Sequence, residues 1–307
     1  MENKGSNYKK VSPTVSKISM LLSATLMGNV GLLVSFFEAK YPVYTIVLLR
    51  GIFGTLFLTI FLVKSHTFNL KFLKDSFKQH WQSLIIIGIV NPLIIYFYFV
   101  NITISGYSIA AFLLYTGGIF FLFFLIITKE EKVSNVSLIS FILALIGVAI
   151  IMEFWRDTIN ISGIIYGLLS GITLGILIYY KKKVYNKRNR NTTAKQIGDF
   201  DTFFAWWPTI FIIILFLPIG ATDLLLFNTV DLVYSLILGL FPTALAFALY
   251  NVGAKNDKGG NIIILSYIEP VVATIWSVVL TQNISIFTMI GGSLIIIANI
   301  IVLKYSK

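Results

Sequence analysis

The chain has 307 residues, of which 57% are hydrophobic and only 12% are charged, and its mean hydropathy is +0.87. Soluble domains carry about 25% charged residues, so this composition predicts an integral membrane protein rather than a soluble one. The chain has no cysteine, which excludes disulfides, thiolate metal sites and cysteine nucleophiles.

Ten apolar runs follow one another along the chain, separated by polar clusters. A helix of about 20 residues crosses the ~30 Å hydrocarbon core, and β-barrel alternation is absent. The predicted fold class is therefore an all-α integral membrane protein with ten transmembrane helices. The predicted spans are 14–37, 42–63, 81–100, 107–128, 134–152, 161–180, 202–219, 230–251, 260–280 and 285–303.

The positions of Lys and Arg predict the orientation of these spans. If the N-terminus is cytoplasmic, only Lys40 and Arg156 of the 24 Lys and Arg residues fall outside, and Arg50 lies within a span. Cytoplasmic loops carry an excess of positive charge. We therefore predict a multi-pass protein of the cytoplasmic (inner or plasma) membrane, with both termini cytoplasmic.

Chain organisation follows from the same spans. Residues 1–180 form the predicted N-terminal five-helix repeat, with a cytoplasmic tail at 1–13. The basic stretch 181–201 is predicted to be a cytoplasmic linker that contacts anionic lipid headgroups, and 202–307 is the remainder of the C-terminal repeat, whose first helix is 161–180. Nucleic acid is not an expected partner, because its binding requires aromatic side chains interleaved with the charges on a folded surface, and this stretch does not supply such a surface.

An internal repeat relates residues 107–152 to residues 260–303. Within it, residues 114–118 (Leu-Tyr-Thr-Gly-Gly) correspond to residues 266–270 (Ser-Tyr-Ile-Glu-Pro), and we call these the first and second tyrosine blocks. Each half holds five spans, and because five is odd the halves enter the membrane from opposite sides. The sequence therefore predicts two inverted five-helix repeats, an architecture from which many secondary transporters build alternating access.

Four features of the sequence occur in the order typical of one transporter family. They are Gly28-Asn29 in the first span, Pro42 followed by Arg50 in the second, the repeat blocks ending in Glu131-Lys-Val-Ser and Gln282-Asn-Ile-Ser, and Glu269-Pro270-Val271 in the ninth. With these features the chain resembles the drug/metabolite transporter superfamily, specifically its ten-helix EamA-type branch, over essentially its whole length. The resemblance implies secondary transport of small polar metabolites, amino acids or drugs, often as export.

Five polar residues share one predicted depth, about 12–15 Å from the outer ends of their spans at a rise of 1.5 Å per residue. They are Asn29, Arg50, Asn91, Tyr115 and Glu269. Glu269 is the one carboxylate deep inside a span, and such a group normally faces a cavity, a partner or a transport route. The sequence therefore predicts a shared central cavity that binds substrate.

The remaining predicted substrate contacts are Ser266, Tyr267 and Trp276, all in the ninth span. Ser266, Glu269 and Trp276 follow helical spacing on one face, and the Trp276 ring face suits a cation.

Four further positions are predicted to act as hinges or packing contacts, and the sequence does not separate these two roles. Pro270 and Pro92 each remove a backbone N–H from a span, and Pro92 is expected to kink the third one. Gly117 and Gly118 permit close helix packing or bending.

Two alternatives stay open at this stage. Arg50 and Glu269 either neutralise each other as a buried structural pair or bind a solute, Arg50 its carboxylate and Glu269 its ammonium group or a coupling proton. Asn29 and Asn91 either contact the solute or form interhelical hydrogen bonds.

The predicted function is secondary active transport, as export, of a small polar metabolite such as an amino acid. Alternatives are uptake or exchange of a cationic or nucleoside-containing metabolite, or lipid flipping. Enzymatic activity, cofactors and metals are not expected, because both histidines, His66 and His80, fall in the predicted 64–80 loop and no nucleophile–base or phosphate-binding motif is present. Expected partners are the solute, a coupling proton and membrane lipids, with a homodimer as a further option.

Overall fold

The structure is a computed structural model that describes residues 12–37, 39–64, 70–129, 134–151, 155, 161–189, 197–257, 262–281 and 286–305. Within these ranges the chain is almost entirely helical and has no β-strand. The predicted all-α class is therefore confirmed. The repeat motifs at Glu131 and Gln282, the outside residue Arg156 and most of the tail 1–13 lie outside the described residues.

The described residues form a succession of helices with short irregular turns between them. In chain order the elements are α1 Pro13–Met27, α2 Val30–Ser35, α3 Val43–Lys64, α4 Leu70–Tyr115, α5 Gly117–Thr128, α6 Asn135–Ile151, α7 Ile161–Asn189, α8 Ile197–Gly220, a 3-10 turn Thr222–Leu226, α9 Thr229–Gly239, a π turn Leu240–Leu245, α10 Ala246–Ala254, a 3-10 turn Ile263–Tyr267, α11 Ile268–Thr281 and α12 Ile286–Tyr305.

Apolar helical segments coincide with all ten predicted spans. Six are long and apolar enough to cross a membrane, namely Pro13–Ser35, Val43–Lys64, Lys74–Tyr107, Ile161–Lys187, Phe200–Gly220 and Thr229–Ala254. Four shorter ones are Leu113–Leu125, Asn135–Gly147, Ile263–Trp276 and Met289–Ala298. The chain is a multi-pass membrane protein, while membrane crossing by the four shorter helices and the inverted relation of the halves stay predictions.

The third and fourth predicted spans share the helix α4. The chain turns between them at Gly106, whose φ of +80° and ψ of 168° are accessible to glycine and costly for residues with a Cβ. α4 begins at Leu70, inside the segment 64–80 that was expected to be a loop, and its backbone leaves helical dihedrals at His80 and Gly106. The backbone keeps helical dihedrals at Pro92, and the kink expected there stays a prediction.

A wide turn interrupts the eighth span where a proline occurs. Pro242 has no N–H to give to the carbonyl of Leu238, four residues earlier, so a regular α-helix would leave that oxygen without its partner. The chain forms a π turn over Leu240–Leu245 instead, and the Thr243 hydroxyl donates to the Leu238 carbonyl at 2.7 Å. A side chain thus replaces the missing backbone donor.

Helices from the two halves pack directly against each other. The most extensive contacts pair α4 with α7, α6 with α12, α3 with α8 and α1 with α10. Small residues permit the closest approaches: a Cβ added at Gly147 would lie 2.6 Å from the carbonyl oxygen of Gly291. Large apolar side chains remain exposed on the outer surface, as in Ile127 and Ile139, which suits lipid contact.

The basic segment predicted as a linker begins inside a helix. α7 continues to Asn189, so assigning the linker to 181–201 is wrong in its first part. The physical reason is burial: Lys181 and Lys182 are each only 4% exposed and make contacts with the rest of the bundle rather than with solvent. The division of the chain into two five-helix repeats stays a prediction.

Candidate substrate cavity

A cavity lies between helices drawn from both ends of the chain. It holds about 820 Å³ of space free of protein atoms, its open mouth included. The structure brings four of the five residues of the predicted polar layer to its wall. Lining side chains are Ser23, Ala24, Met27, Val30, Arg50, Asn91, Ile94, Ile95, Tyr98, Leu114, Tyr115, Leu174, Leu177, Ile178, Lys181, Phe247, Tyr250, Ser266 and Glu269.

The carboxylate of Glu269 is held by a tyrosine from the other tyrosine block. Glu269 is 6% exposed, and its Oε2 lies 2.8 Å from the Tyr115 hydroxyl. The same hydroxyl lies 2.7 Å from the carbonyl oxygen of Ser266. A tyrosine has one O–H proton, so it donates to one of these two acceptors at a time.

The start of a helix accounts for the position of Glu269. A 3-10 turn over Ile263–Tyr267 precedes α11, which places Glu269 in the first turn of that helix. Unpaired N–H groups and the helix dipole favour a carboxylate there. Pro270 follows in the same turn, where its missing N–H costs no helical hydrogen bond. Pro270 therefore lies at a helix start, where it does not interrupt α11.

Arg50 is bound to the π turn, not to Glu269. Its Nε donates to the Thr243 hydroxyl oxygen at 3.0 Å, and a terminal nitrogen donates to the Pro242 carbonyl oxygen at 3.0 Å. The guanidinium also lies over the ring of Phe247, 5.4 Å from its centroid. No salt bridge joins Arg50 to Glu269 within the described part of the chain. The structure therefore gives no support to the direct buried pair.

Asn29 and Trp276, both predicted to contact substrate, contact each other instead. The Trp276 Nε1 donates to the Asn29 Oδ1 at 2.7 Å, and the Asn29 amide donates to the carbonyl oxygen of Thr25 at 2.7 Å. Neither side chain lines the cavity. This geometry fits the alternative in which Asn29 forms an interhelical hydrogen bond, here between the α1–α2 break and α11.

Tyr267 also lies behind the cavity wall rather than in it. It is 1% exposed, and its hydroxyl donates to the Tyr115 carbonyl oxygen at 2.8 Å. The two tyrosine rings lie with their centroids 4.6 Å apart. Tyr267 thus supports the residue that holds Glu269.

The glycine pair of the first tyrosine block lies at tight packing contacts. A Cβ on Gly117 would lie 2.8 Å from the Gly171 carbonyl oxygen of α7, and one on Gly118 would lie 2.1 Å from the Phe141 ring. These distances favour the packing role of both glycines over the hinge role.

Three cavity residues offer hydrogen-bond donors to the interior. The Asn91 side-chain nitrogen and the Tyr250 hydroxyl are buried, and within the described ranges no partner satisfies them. Lys181, which the sequence analysis assigned to a basic linker, is the third. Helical spacing puts Leu174, Leu177 or Ile178, and Lys181 on one face of α7, but spacing alone does not show that this face points inward.

The EamA-like transporter family model matches residues 15–153 and again residues 161–304, which together cover nearly the whole chain. The chain belongs to the EamA-like transporter family. The two consecutive matches meet at the start of α7, and the cavity is lined from both matched segments. The resemblance found in the sequence is thereby confirmed at the level of the family.

Individual proteins resemble this family member along their full length. An uncharacterized transporter of Archaeoglobus fulgidus is 25% identical over 284 residues, covering 91% of this chain and 92% of that protein. A crystal structure superposes with a TM-score of 0.70 at 15% identity, covering 94% of this chain and 96% of the other, and shows the same fold. The family and the named relative both indicate a membrane transporter rather than an enzyme.

Proposed function

We propose that this protein is a secondary active transporter that exports a small amphipathic metabolite, such as an amino acid, by alternating access. The observation that carries the proposal is the buried carboxylate of Glu269 in a cavity lined by both family-matched segments. A buried carboxylate in a membrane protein is costly, so one that is present normally serves a solute or an ion. The proposal includes the cytoplasmic membrane as location, with both termini on the cytoplasmic side.

A coupling proton suits the hydrogen bonds around Glu269. When Glu269 is ionised, the Tyr115 O–H donates to its carboxylate across 2.8 Å. When Glu269 is protonated, its own O–H can donate to the Tyr115 oxygen, while the Tyr115 proton turns to the Ser266 carbonyl at 2.7 Å. Both protonation states are thus hydrogen-bonded without backbone movement, which supports exchange of a proton during transport.

The direct test is solute flux in proteoliposomes with Glu269→Gln. We expect accumulation of labelled amino acids driven by a proton gradient in the unmodified protein. In the variant we expect a loss of at least about 30-fold, the cost of removing one partner of a buried charge pair, here between Glu269 and the ammonium group of the solute. Asp75→Asn, which neutralises an exposed carboxylate near the start of α4, serves as the control. Unchanged flux in Glu269→Gln contradicts the assignment.

A cationic or nucleoside-containing cargo is the second candidate. Tyr98, Tyr250 and Phe247 line the same cavity as Glu269, and aromatic ring faces attract cations and stack on bases. Labelled amines and nucleosides in the same flux assay separate this candidate from amino acid export. A fluorescent phospholipid assay in the same vesicles tests the remaining alternative, lipid flipping.

A further inference from the structure

The buried lysine of the cavity has no role in the function proposed above. Lys181 is 4% exposed and lies on α7 beside the apolar wall formed by Leu174, Leu177 and Ile178. A buried ammonium group in a membrane protein normally pairs with an anion or serves transport. The partners that surround Lys181 therefore decide which of these applies.

Neutral groups surround the ammonium of Lys181. Its Nζ donates to the Asn251 Oδ1 at 3.0 Å, and it lies 4.9 Å from the centroid of the Tyr250 ring and 5.7 Å from that of Phe204. Among the described residues no carboxylate lies within salt-bridge distance of it. These contacts orient the side chain but supply no negative charge.

The nearby carboxylates already pair with other lysines. Asp201 binds Lys255 at 2.5 Å and also accepts from the Tyr185 hydroxyl at 3.1 Å. Asp257 lies 3.6 Å from Lys182 and accepts backbone N–H groups at the start of the following turn. The protein thus provides counter-ions for the neighbouring lysines, while Lys181 faces the cavity.

A second donor lies beside Lys181. Tyr250 lines the cavity, and its hydroxyl is buried and has no hydrogen-bond partner among the described residues. The ammonium of Lys181 and this hydroxyl belong to residues already in contact through the tyrosine ring. A carboxylate accepts several hydrogen bonds at once, so it can satisfy both groups.

We propose that Lys181 and the Tyr250 hydroxyl form the anion-binding end of the cavity and receive the carboxylate of the transported solute. The solute's apolar part then contacts Leu174, Leu177 and Ile178. Arg50, the residue first assigned to this role, has Nε and a terminal nitrogen committed to Thr243 and Pro242. This inference rests on the proposed transport function and assigns its substrate class, a carboxylate-bearing amphipathic solute.

The test compares amino acids with their amides, which keep the ammonium group and side chain but lack the carboxylate. Purified protein is titrated with each of the twenty proteinogenic amino acids and its amide, using thermal stabilisation as the readout, and the same pairs are used for flux. In the unmodified protein we expect at least one acid to bind more tightly than its amide. Lys181→Met should reduce that preference by about 30-fold, the cost of losing one partner of a buried charge pair.

Three further variants control this comparison. Lys181→Arg keeps the charge and should retain part of the preference. Tyr250→Phe removes only the hydroxyl and should reduce the preference by about tenfold or more, which keeps the test informative if Lys181→Met folds poorly. Lys183→Met removes the same charge from an exposed neighbouring position on α7 and should leave the preference unchanged.

The outcomes separate this inference from the proposed function. Flux of amines or amides with no preference for the acid overturns the carboxylate site while transport stands. An acid preference that survives in Lys181→Met and Tyr250→Phe likewise overturns it. Absence of any binding or flux in the unmodified protein overturns both, whereas a preference lost in Lys181→Met and kept in Lys183→Met supports the site.

Discussion

The two tyrosine blocks, residues 114–118 and 266–270, correspond in sequence but contribute different chemistry. Each tyrosine hydroxyl lies within hydrogen-bond distance of a backbone carbonyl in the other block, Tyr115 of Ser266 and Tyr267 of Tyr115. Two residues further on, the blocks diverge. The first has Gly117, packed against α7, and the second has Glu269, which faces the cavity.

Because of this difference, the first block provides a helix-packing contact and the second provides the charge of the cavity. A glycine removes every side-chain atom, so α5 and α7 approach until the Gly117 Cβ position lies 2.8 Å from a backbone carbonyl. A glutamate at the corresponding place puts a charge into the cavity and requires a donor, which Tyr115 supplies. Tyr115 of the first block therefore holds the carboxylate of the second block. Tyr267 bonds only a backbone carbonyl, so the two tyrosines have unequal roles despite their similar contacts.

Enlarging Gly117 tests the packing role of the first block and has the largest expected effect. In Gly117→Val the new side chain would collide with the Gly171 backbone, which cannot move without shifting α7. We expect a loss of about 3 kcal/mol or more in the free energy of unfolding, measured by denaturation of the purified protein in detergent. Gly292→Val is the control, because a Cβ there meets nothing within 4 Å. Equal losses in both variants would show that the close approach of α5 and α7 at Gly117 does not account for the loss.

Removing each tyrosine hydroxyl sharpens the comparison. Tyr115→Phe deletes a hydrogen bond to a carboxylate, so we expect a loss of about 1.5–3 kcal/mol together with a changed pH profile of transport. Tyr267→Phe deletes a neutral hydrogen bond and should cost about 1 kcal/mol with the pH profile unchanged. Thermal unfolding and flux at several pH values measure both. A pH profile changed by Tyr267→Phe as much as by Tyr115→Phe would refute the unequal roles.

An ion pair remote from both blocks, between a part-exposed lysine and a buried aspartate, gives the smallest expected effect. Lys40 forms a salt bridge with Asp231, and this hydrogen bond raises the pKa of Lys40 above its ordinary value of 10.5. Because the folded pKa is raised, the stabilisation is fully present below pH 10.5 and is lost as the pH rises through the raised value. We therefore expect Lys40→Met to unfold at a slightly lower temperature than the unmodified protein near neutral pH.

The difference in unfolding between Lys40→Met and the unmodified protein should vanish in strongly alkaline buffer. Flux should be unaffected, because Lys40 is outside the cavity. A difference that persists above the raised pKa would assign the effect to packing of the lysine stem instead of its charge.

Hydropathy predicted the membrane fold well, because a bilayer forces nearly every spanning residue to be apolar. Depth counting also placed Arg50, Asn91, Tyr115 and Glu269 at one cavity, since depth depends only on distance along the helix. Depth does not show which side of its helix a residue occupies. Asn29, which was predicted at the same depth, contacts Trp276 behind the cavity wall instead.

Two features could not be predicted from composition and spacing. Lys181 belongs to a run of three lysines that reads as a solvent-exposed cluster, and only the long-range contacts with Asn251 and Tyr250 show that it points inward. The partners of Arg50 depend on the π turn, and although Pro242 indicates a disturbed helix, the sequence does not show which turn geometry replaces the regular one.

The bond between Arg50 and the π turn has a consequence for helix register. A π turn contains one residue more than an α turn, so returning it to α geometry would rotate α10 by about 100° relative to α9 and shift it by about 1.5 Å. Arg50 holds the Pro242 carbonyl oxygen and the Thr243 hydroxyl of that turn. By holding this turn, the guanidinium favours the rotation of α10 that presents Tyr250 to the cavity.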